Sequence, residues 1–558
     1  MHARTFPLRF VALLLALALS PLAVRADLVA DLDQLFAANY PADGPGGAVI
    51  VEQGGKVLLH KAYGLADLEL GVPLAPDSIF RIGSITKQFT AVLVMQLIAE
   101  GKLAAEDPLT KYLPDFPPAQ AEGVTIYHLV THTSGIPSYT DQPEWPPRFR
   151  EDMTVQQILD LTKDKPRDFA PGTQWKYSNT GYIALGAILE RVTGKPYAAL
   201  VDERIFKPLG MASSSYDVTE AVLPRRVKGY SGSAGSYRNA PYLSMTQPYA
   251  AGSLLSTVGD LAKWNAALYG DALLRQPYRD RLWQEAKLTD GRAAHYAYGF
   301  GVWDYEGHRI ISHSGGIHGF VTDALRVPDA GIFIAVFSNN PGAPLAPSNL
   351  TIKALGMVLG KPLDARPSIT LPAAELDALV GVYEIGTDPN DVRVITREGD
   401  RVFSQRTGSA KLEIKARTKD HFYFVDDVTE LSFERDASGK VMGHTIVRTI
   451  GADERATKSN RPIPSARQEI KLDPATLDGY LGEFELAPGF VLAVTREGDQ
   501  LFAQATGQPR FPLFAESPDR LFLKVVDAVL EFQRDGDGKV TGLILHQGGQ
   551  HIPGRRVR

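Results

Sequence analysis

The sequence predicts an α+β chain in which an antiparallel sheet with an inserted helical region is followed by two all-β barrel domains. Two observations predict this directly. Hairpin-like runs occur early, at Ala48 to Glu52 and Lys56 to Gly64, and strand-like runs return only after about Tyr298, with helical and loop-rich sequence between. The last third then repeats itself in two segments of about 95 residues. A chain of 558 residues, 44% hydrophobic and 22% charged, is long enough for several cores of ordinary globular composition. Its net charge of -5 gives no electrostatic reason to expect nucleic acid as a partner.

Residues 1–26 read as a cleavable targeting segment. Arg4 and Arg9 precede the apolar run Phe10 to Leu19, and Val24-Arg25-Ala26 supplies a cleavage site. An apolar run of about ten residues falls short of the roughly 20 needed to span a bilayer. The chain has no cysteine, so neither a lipid-modified cysteine nor a disulfide is expected. The expectation is export to the periplasm or medium, with no stable membrane anchor. Next come an amphipathic helix from Asp27 to Asn39 and a hairpin turning at Gly54-Gly55.

Phe80-Arg81-Ile82-Gly83 leads into Ser84-Ile85-Thr86-Lys87, and Phe89, Val92, Leu93 and Leu97 follow at helical spacing up to Gly101. Positions i and i+3 share a helix face, so the Lys87 amine can lie beside the Ser84 hydroxyl at a helix start that favours negative charge. Such a pair makes a serine nucleophilic without histidine and points to covalent acyl transfer. A turn at Pro171-Gly172 precedes Tyr177-Ser178-Asn179, after which an apolar helix begins. A second Tyr-x-Asn, Tyr237 to Asn239, lies in a Gly/Ser-rich stretch and reads as surface loop. His313-Ser314-Gly315-Gly316 follows a strand-like run from Gly307 to Ser312 and precedes another from Val321 to Val327, where small residues let backbone approach a ligand. Strands at Tyr298 to Trp303 and Ile332 to Ser338 complete the sheet, and a helix from about Leu350 to Leu359 closes the domain before a linker, Pro362 to Pro367. His128 and His132, four apart, lack the glutamate of a His-Glu-x-x-His metal pair and read as helix-end packing, so no metal and no cofactor is expected. Trp175, Tyr182, Tyr298 and Phe320 are aromatic candidates for the pocket lining. No phosphate loop, dinucleotide fingerprint or Gly-x-Ser-x-Gly elbow appears.

These three elements, in this order, resemble the penicillin-recognising serine hydrolases: class C β-lactamases, D,D-carboxypeptidases, D-aminopeptidases and related esterases. His128 to Ile136, Ala250 to Thr257 and Tyr298-Gly299-Phe300-Gly301 add to the likeness, which covers roughly residues 27–365. The resemblance implies a β-lactamase/transpeptidase-like catalytic domain. It assigns Ser84 as nucleophile, with Lys87 and Tyr177 sharing its proton. It also implies an oxyanion hole from the backbone N–H groups of Ser84 and Gly316, and substrate contacts from Asn179, His313, Gly315 and Gly316, with assistance to Tyr177 as the other role open to His313. Tyr177 stands where a sister group has a serine, and His313 where many relatives place a lysine that holds a substrate carboxylate. An imidazole holds carboxylate less firmly. The implied activity is therefore hydrolysis of D-amino-acid peptides or small amides and esters. The alternatives are a β-lactamase or D,D-carboxypeptidase, or a protein that binds penicillin or peptidoglycan without turnover.

In the last third, Thr396-Arg397-Glu398-Gly399-Asp400 recurs as Thr495-Arg496-Glu497-Gly498-Asp499, and Leu431 to Asp436 recurs as Leu530 to Asp535. Alternating strands between Gly-Asp and Ser-Gly turns predict antiparallel barrels over 370–465 and 468–558, resembling the lipocalin-like modules of some D-aminopeptidase-type relatives. They read either as stability or homodimerisation modules or as gates that select a small-molecule or short-peptide substrate.

Overall fold

A helix, α1, spans residues 27–39 and leads to strands β1 (Gly47–Gln53) and β2 (Lys56–Tyr63). The hairpin between them turns at Gly54 and Gly55, whose φ values of +58° and +73° favour glycine. This is a computed structural model that describes residues 27–558, apart from 387–390, 408, 410, 426, 448–452, 464–468, 488–489, 507–509, 525–527, 548–549 and 558. The expected targeting segment, 1–26, lies outside the described residues.

A short strand β3 (Phe80–Arg81) runs into a single 3-10 turn, Gly83–Ile85, and then helix α2 (Thr86–Ala99). Nearly every α2 side chain is buried, the polar Thr86, Lys87, Gln88 and Thr90 among them, so this helix is enclosed on all sides rather than amphipathic. Helices α3 (Asn179–Thr193) and α4 (Tyr249–Gly252) pack against it. Gly186 of α3 permits the contact with α4, because a Cβ there would lie 2.3 Å from the Tyr249 ring. The late strands β4 (Gly301–Tyr305), β5 (His308–Ile317), β6 (Phe320–Val327) and β7 (Ile332–Ser338) join the early hairpin in one antiparallel sheet, ordered β4-β5-β6-β7-β1-β2. The register Gly47↔Ser338 ties the two ends of the domain together, and helix α5 (Pro347–Val358) covers β6 and β7.

Two strand boundaries differ from expectation. The strand placed at Tyr298 to Trp303 starts only at Gly301, because Gly299 takes φ +78° and packs on α2, where a Cβ would sit 2.6 Å from the Lys87 carbonyl oxygen. The strand expected to stop at Ser312 continues to Ile317. Its pairing with β6 persists until Ile317↔Phe320, so His313 to Gly316 lie inside a strand. Tyr237 to Asn239, read as loop, ends in a two-residue pairing of Arg238–Asn239 with Tyr230–Ser231.

The C-terminal region folds separately into two closed barrels of eight antiparallel strands in sequence order. The first runs from Gly381–Ile385 to Glu454–Lys458, and the second from Gly482–Ala487 to Gln550–Arg556. Closure leaves no open sheet edge.

Candidate active site

Ser84 sits in the 3-10 turn that feeds α2, following Gly83 at φ +52°. Two anchors fix this turn. The Ile82 N–H donates to the Leu254 carbonyl at 3.0 Å, and the Thr322 hydroxyl donates to the Ile82 carbonyl at 2.9 Å. Ser84 itself is partly exposed.

One turn into α2, Lys87 is fully buried. Its Nζ donates to Ser84 Oγ at 3.1 Å, Asn179 Oδ1 at 2.8 Å and the Ala251 carbonyl at 2.8 Å, and it lies 4.7 Å above the Tyr177 ring. All three acceptors are uncharged. Burial therefore pushes the Lys87 pKa well below its usual value, which favours the neutral amine. Tyr177 shifts oppositely. Burial raises its pKa, while the nearby Ser84 hydroxyl pulls it back only in part, so the phenol stays protonated. Its oxygen is buried and makes no hydrogen bond among the described residues.

The structure brings Ser84, Lys87, Tyr177 and Asn179 together. Asn179 opens α3 behind its N-cap Ser178; its Oδ1 accepts from Lys87, and its Nδ2 donates to Thr140 Oγ1 at 3.1 Å. Gly316 is exposed and abuts the nucleophile turn, its nitrogen 3.0 Å from where a Gly83 Cβ would lie. Gly315 is required for packing: a Cβ there would lie 2.1 Å from the Ile82 carbonyl oxygen and 2.4 Å from Thr322 Oγ1.

His313 stands apart from the others. It is buried, with Nδ1 donating to the Ser314 carbonyl at 2.6 Å and Nε2 accepting from the Tyr296 hydroxyl at 2.8 Å. Burial, with Lys87 nearby, lowers its pKa to about 3, so the ring is neutral. Both nitrogens are occupied, and the ring centre lies 6.2 Å from that of Tyr177. The expected side-chain contact with substrate therefore gives way to a wall behind Tyr177, because the strand that carries His313 turns its side chain inward while Ser314 and Gly316 face out.

Sequence reasoning missed Tyr296, which holds His313, and the Ala251 carbonyl, which holds Lys87. His132, read as packing, takes φ +61°; its Nδ1 accepts the Ser178 N–H at 3.1 Å, and its ring lies 4.3 Å from Tyr177. His128 instead joins Thr125 in a capping box, and no metal-ligand cluster occurs among the described residues. Of the aromatic candidates, Trp175 packs against Tyr177, and Tyr182 lies beneath Lys87 at 5.4 Å. Tyr298 lines a separate cavity of about 590 Å³ with Tyr127 and Arg281, and Phe320 lines another.

Comparison with known proteins places this geometry. A family model described as "Beta-lactamase" matches residues 32–357, and one described as "Domain of unknown function (DUF3471)" matches 466–556, the region of the second barrel. Penicillin-binding protein 4* of Bacillus subtilis (strain 168) is 28% identical over 411 residues, which is 69% of this chain and 89% of that protein. A D-aminopeptidase of Brucella ovis is 24% identical over 528 residues, covering 91% of this chain and 94% of that one. The structure of the D-amino acid amidase from Ochrobactrum anthropi SV3 complexed with D-phenylalanine aligns with a TM-score of 0.52 at 25% identity, over 59% of this chain and 99% of that chain. With the matched model spanning more than half of its length, the chain belongs to the beta-lactamase family and is a serine hydrolase, its catalytic domain followed by two closed barrels.

Proposed function

We propose that this protein is a secreted hydrolase that works through an acyl-enzyme on Ser84 and acts on D-amino-acid peptides or small amides and esters. The observation that carries the reading is a buried amine, its pKa lowered by desolvation, 3.1 Å from the hydroxyl of Ser84. As Ser84 Oγ attacks the acyl carbon, its proton passes to Lys87 Nζ. Negative charge collects on the carbonyl oxygen, where the N–H groups of Ser84 and Gly316 receive it; preorganised donors of this kind are worth about 3 to 4 kcal/mol each. The proton then moves from Lys87 through the Tyr177 hydroxyl to the departing group. An amine with a depressed pKa beside a phenol with a raised one fits this division, with Lys87 as base and Tyr177 as relay. Water hydrolyses the acyl-enzyme by the reverse route. The D-aminopeptidase and D-amino acid amidase relatives support the substrate class.

Ser84→Ala tests the core of the reading. Hydrolysis of an activated aryl ester is expected to fall about 10³-fold or more with the fold intact, and full activity in that variant refutes the assignment. The penicillin-binding relative favours one second reading, acylation without turnover. A burst of one equivalent of acyl product with no steady state would identify it.

A further inference from the structure

Arg81 precedes Ser84 by three residues, and His318 and Phe320 follow Gly316 by two and four, so both segments that build the nucleophile site run on into one cavity. That cavity measures about 270 Å³, and its wall also carries Arg226, Lys228 and Tyr242. Three extended residues span about 10 Å, which puts the cavity within reach of a substrate bound at Ser84.

The two arginines on its wall keep a surplus positive charge, because one carboxylate serves both. The lining residues include three cations and no acid. Arg81 Nε and Arg226 Nη2 share a single carboxylate, the fully buried Asp217, at 2.8 and 2.5 Å. Each guanidinium has five N–H donors and spends only one of its described hydrogen bonds there. Lys228 is already paired with two carboxylates, Asp67 and Glu69, and adds no surplus charge to the cavity. The half-buried His318 is held below its usual pKa by burial and then by the charges of Arg81 and Arg150, so positive potential reaches that wall too. None of the residues around Tyr177 lines this space. The departing group must meet its proton at Tyr177, which leaves the cavity for the acyl part. His313 is neutral and fully engaged, so a substrate carboxylate finds no cation there.

We propose that Arg81 and Arg226 form a subsite for a carboxylate carried by the acyl part of the substrate. This rests on the Ser84 acyl-enzyme reading. It narrows the substrate to acidic acyl groups, such as an acidic D-amino-acid residue or a dicarboxylic half-ester.

Three activated esters with chains of similar length test it on the mature full-length protein: mono-p-nitrophenyl adipate, p-nitrophenyl adipamate and p-nitrophenyl 6-aminohexanoate. The adipate and adipamate differ only in carboxylate against carboxamide. A charge-assisted contact predicts kcat/KM for the adipate about tenfold or more above the adipamate, mostly through KM, with the amino ester poorest. In Arg226→Gln, and separately in Arg81→Gln, the adipate/adipamate ratio is expected to fall towards one. The ratio is independent of how much active enzyme survives the substitution. Equal kcat/KM for the three esters, a preference for the amino ester, or a ratio unchanged in both variants overturns the subsite while leaving the Ser84 reading intact. Failure to hydrolyse any of them overturns the Ser84 reading, and the subsite with it.

Discussion

Lys87 in the catalytic domain and Arg393 in the first barrel are both buried cations, and they are compensated in opposite ways. Lys87 meets only uncharged oxygens. Arg393 places Nε and Nη2 on Glu454 Oε1 at 3.0 and 2.8 Å and Nη1 on Ser404 Oγ at 2.9 Å, while the other Glu454 oxygen takes Arg406 at 3.0 Å. Desolvation left uncompensated shows up as a displaced pKa and a reactive group; desolvation met by a carboxylate holds a structure together.

The second barrel sharpens the contrast. The pair Arg393↔Arg406 becomes Leu492↔Ala505 at the same register, Ser404 becomes Ala503, His444 opposite Phe433 becomes Leu543 opposite Phe532, and Glu454 becomes Ile552. The same eight-stranded scaffold closes over a charged layer in one copy and an apolar one in the other. The polar layer is thus dispensable for the fold, whereas nothing apolar can replace an amine that must take a proton.

The largest expected effect is at Lys87. Lys87→Met should lower ester hydrolysis about 10³-fold or more and, unlike most core substitutions, raise thermal stability. The sign follows from linkage. The folded-state pKa of Lys87 lies below its unfolded value of about 10.4, so the unfolded chain binds the extra proton. Its cost to stability is nil above about pH 10.4 and grows by about 1.4 kcal/mol per pH unit as pH falls towards the folded pKa, then levels off. The stability gain of the Met variant should grow over that window, and wild-type kcat/KM should rise with pH as Lys87 loses its proton. A variant that loses stability, or a gain that does not change with pH, breaks the comparison with Arg393.

Next in size is Glu454→Leu, which takes from Arg393 the carboxylate that holds its Nε and Nη2. Removing one partner of a buried pair costs roughly 3 to 5 kcal/mol, so denaturant unfolding followed by a probe in the first barrel should shift by that amount. Hydrolysis of a small ester should stay within about twofold, since this barrel folds as a separate unit.

Legibility in the sequence followed the same divide. Ser84, Lys87, Tyr177 and Asn179 were readable because their chemistry depends on side-chain type at short spacing. The Ala251 carbonyl was not, because any residue carries a carbonyl and only the bend of α4 aims it at Lys87. Attention to Tyr298-Gly299-Phe300-Gly301 drew the aromatic candidate two residues past Tyr296, since nothing in sequence distinguishes the phenol that meets a histidine from the one that lines another cavity. His313 was readable as a position, but its partner Tyr296 was not, because that contact comes from tertiary packing. In the barrels, alternation gave strands and closure, and the internal repeat gave their number. Which lumen is charged follows only once register aligns Arg393 with Leu492.

A third test moves the lumen of one barrel into the other. Arg393→Leu, Ser404→Ala and Glu454→Ile together copy three of those five positions from the second barrel into the first. Replacing a buried ion pair with apolar residues is often neutral or stabilising by 1 to 4 kcal/mol, against the loss expected for Glu454→Leu alone. Arg406, which would lose Glu454, keeps Asp391 at 2.7 Å. Destabilisation of the triple variant beyond that of the single one would mean that the charged layer does more than satisfy itself.

The smallest expected effect returns to the catalytic domain. Tyr296→Phe removes the hydroxyl that donates to His313 Nε2, leaving one buried acceptor unpaired beside Tyr177. That should cost about 1 to 3 kcal/mol of stability. Because His313 is neutral and acts here as a wall, kcat should change little once folded protein is normalised. If Tyr296→Phe instead collapses kcat with stability intact, His313 takes part in the proton path through Tyr177, and the line between satisfied and reactive buried groups must be redrawn to include it.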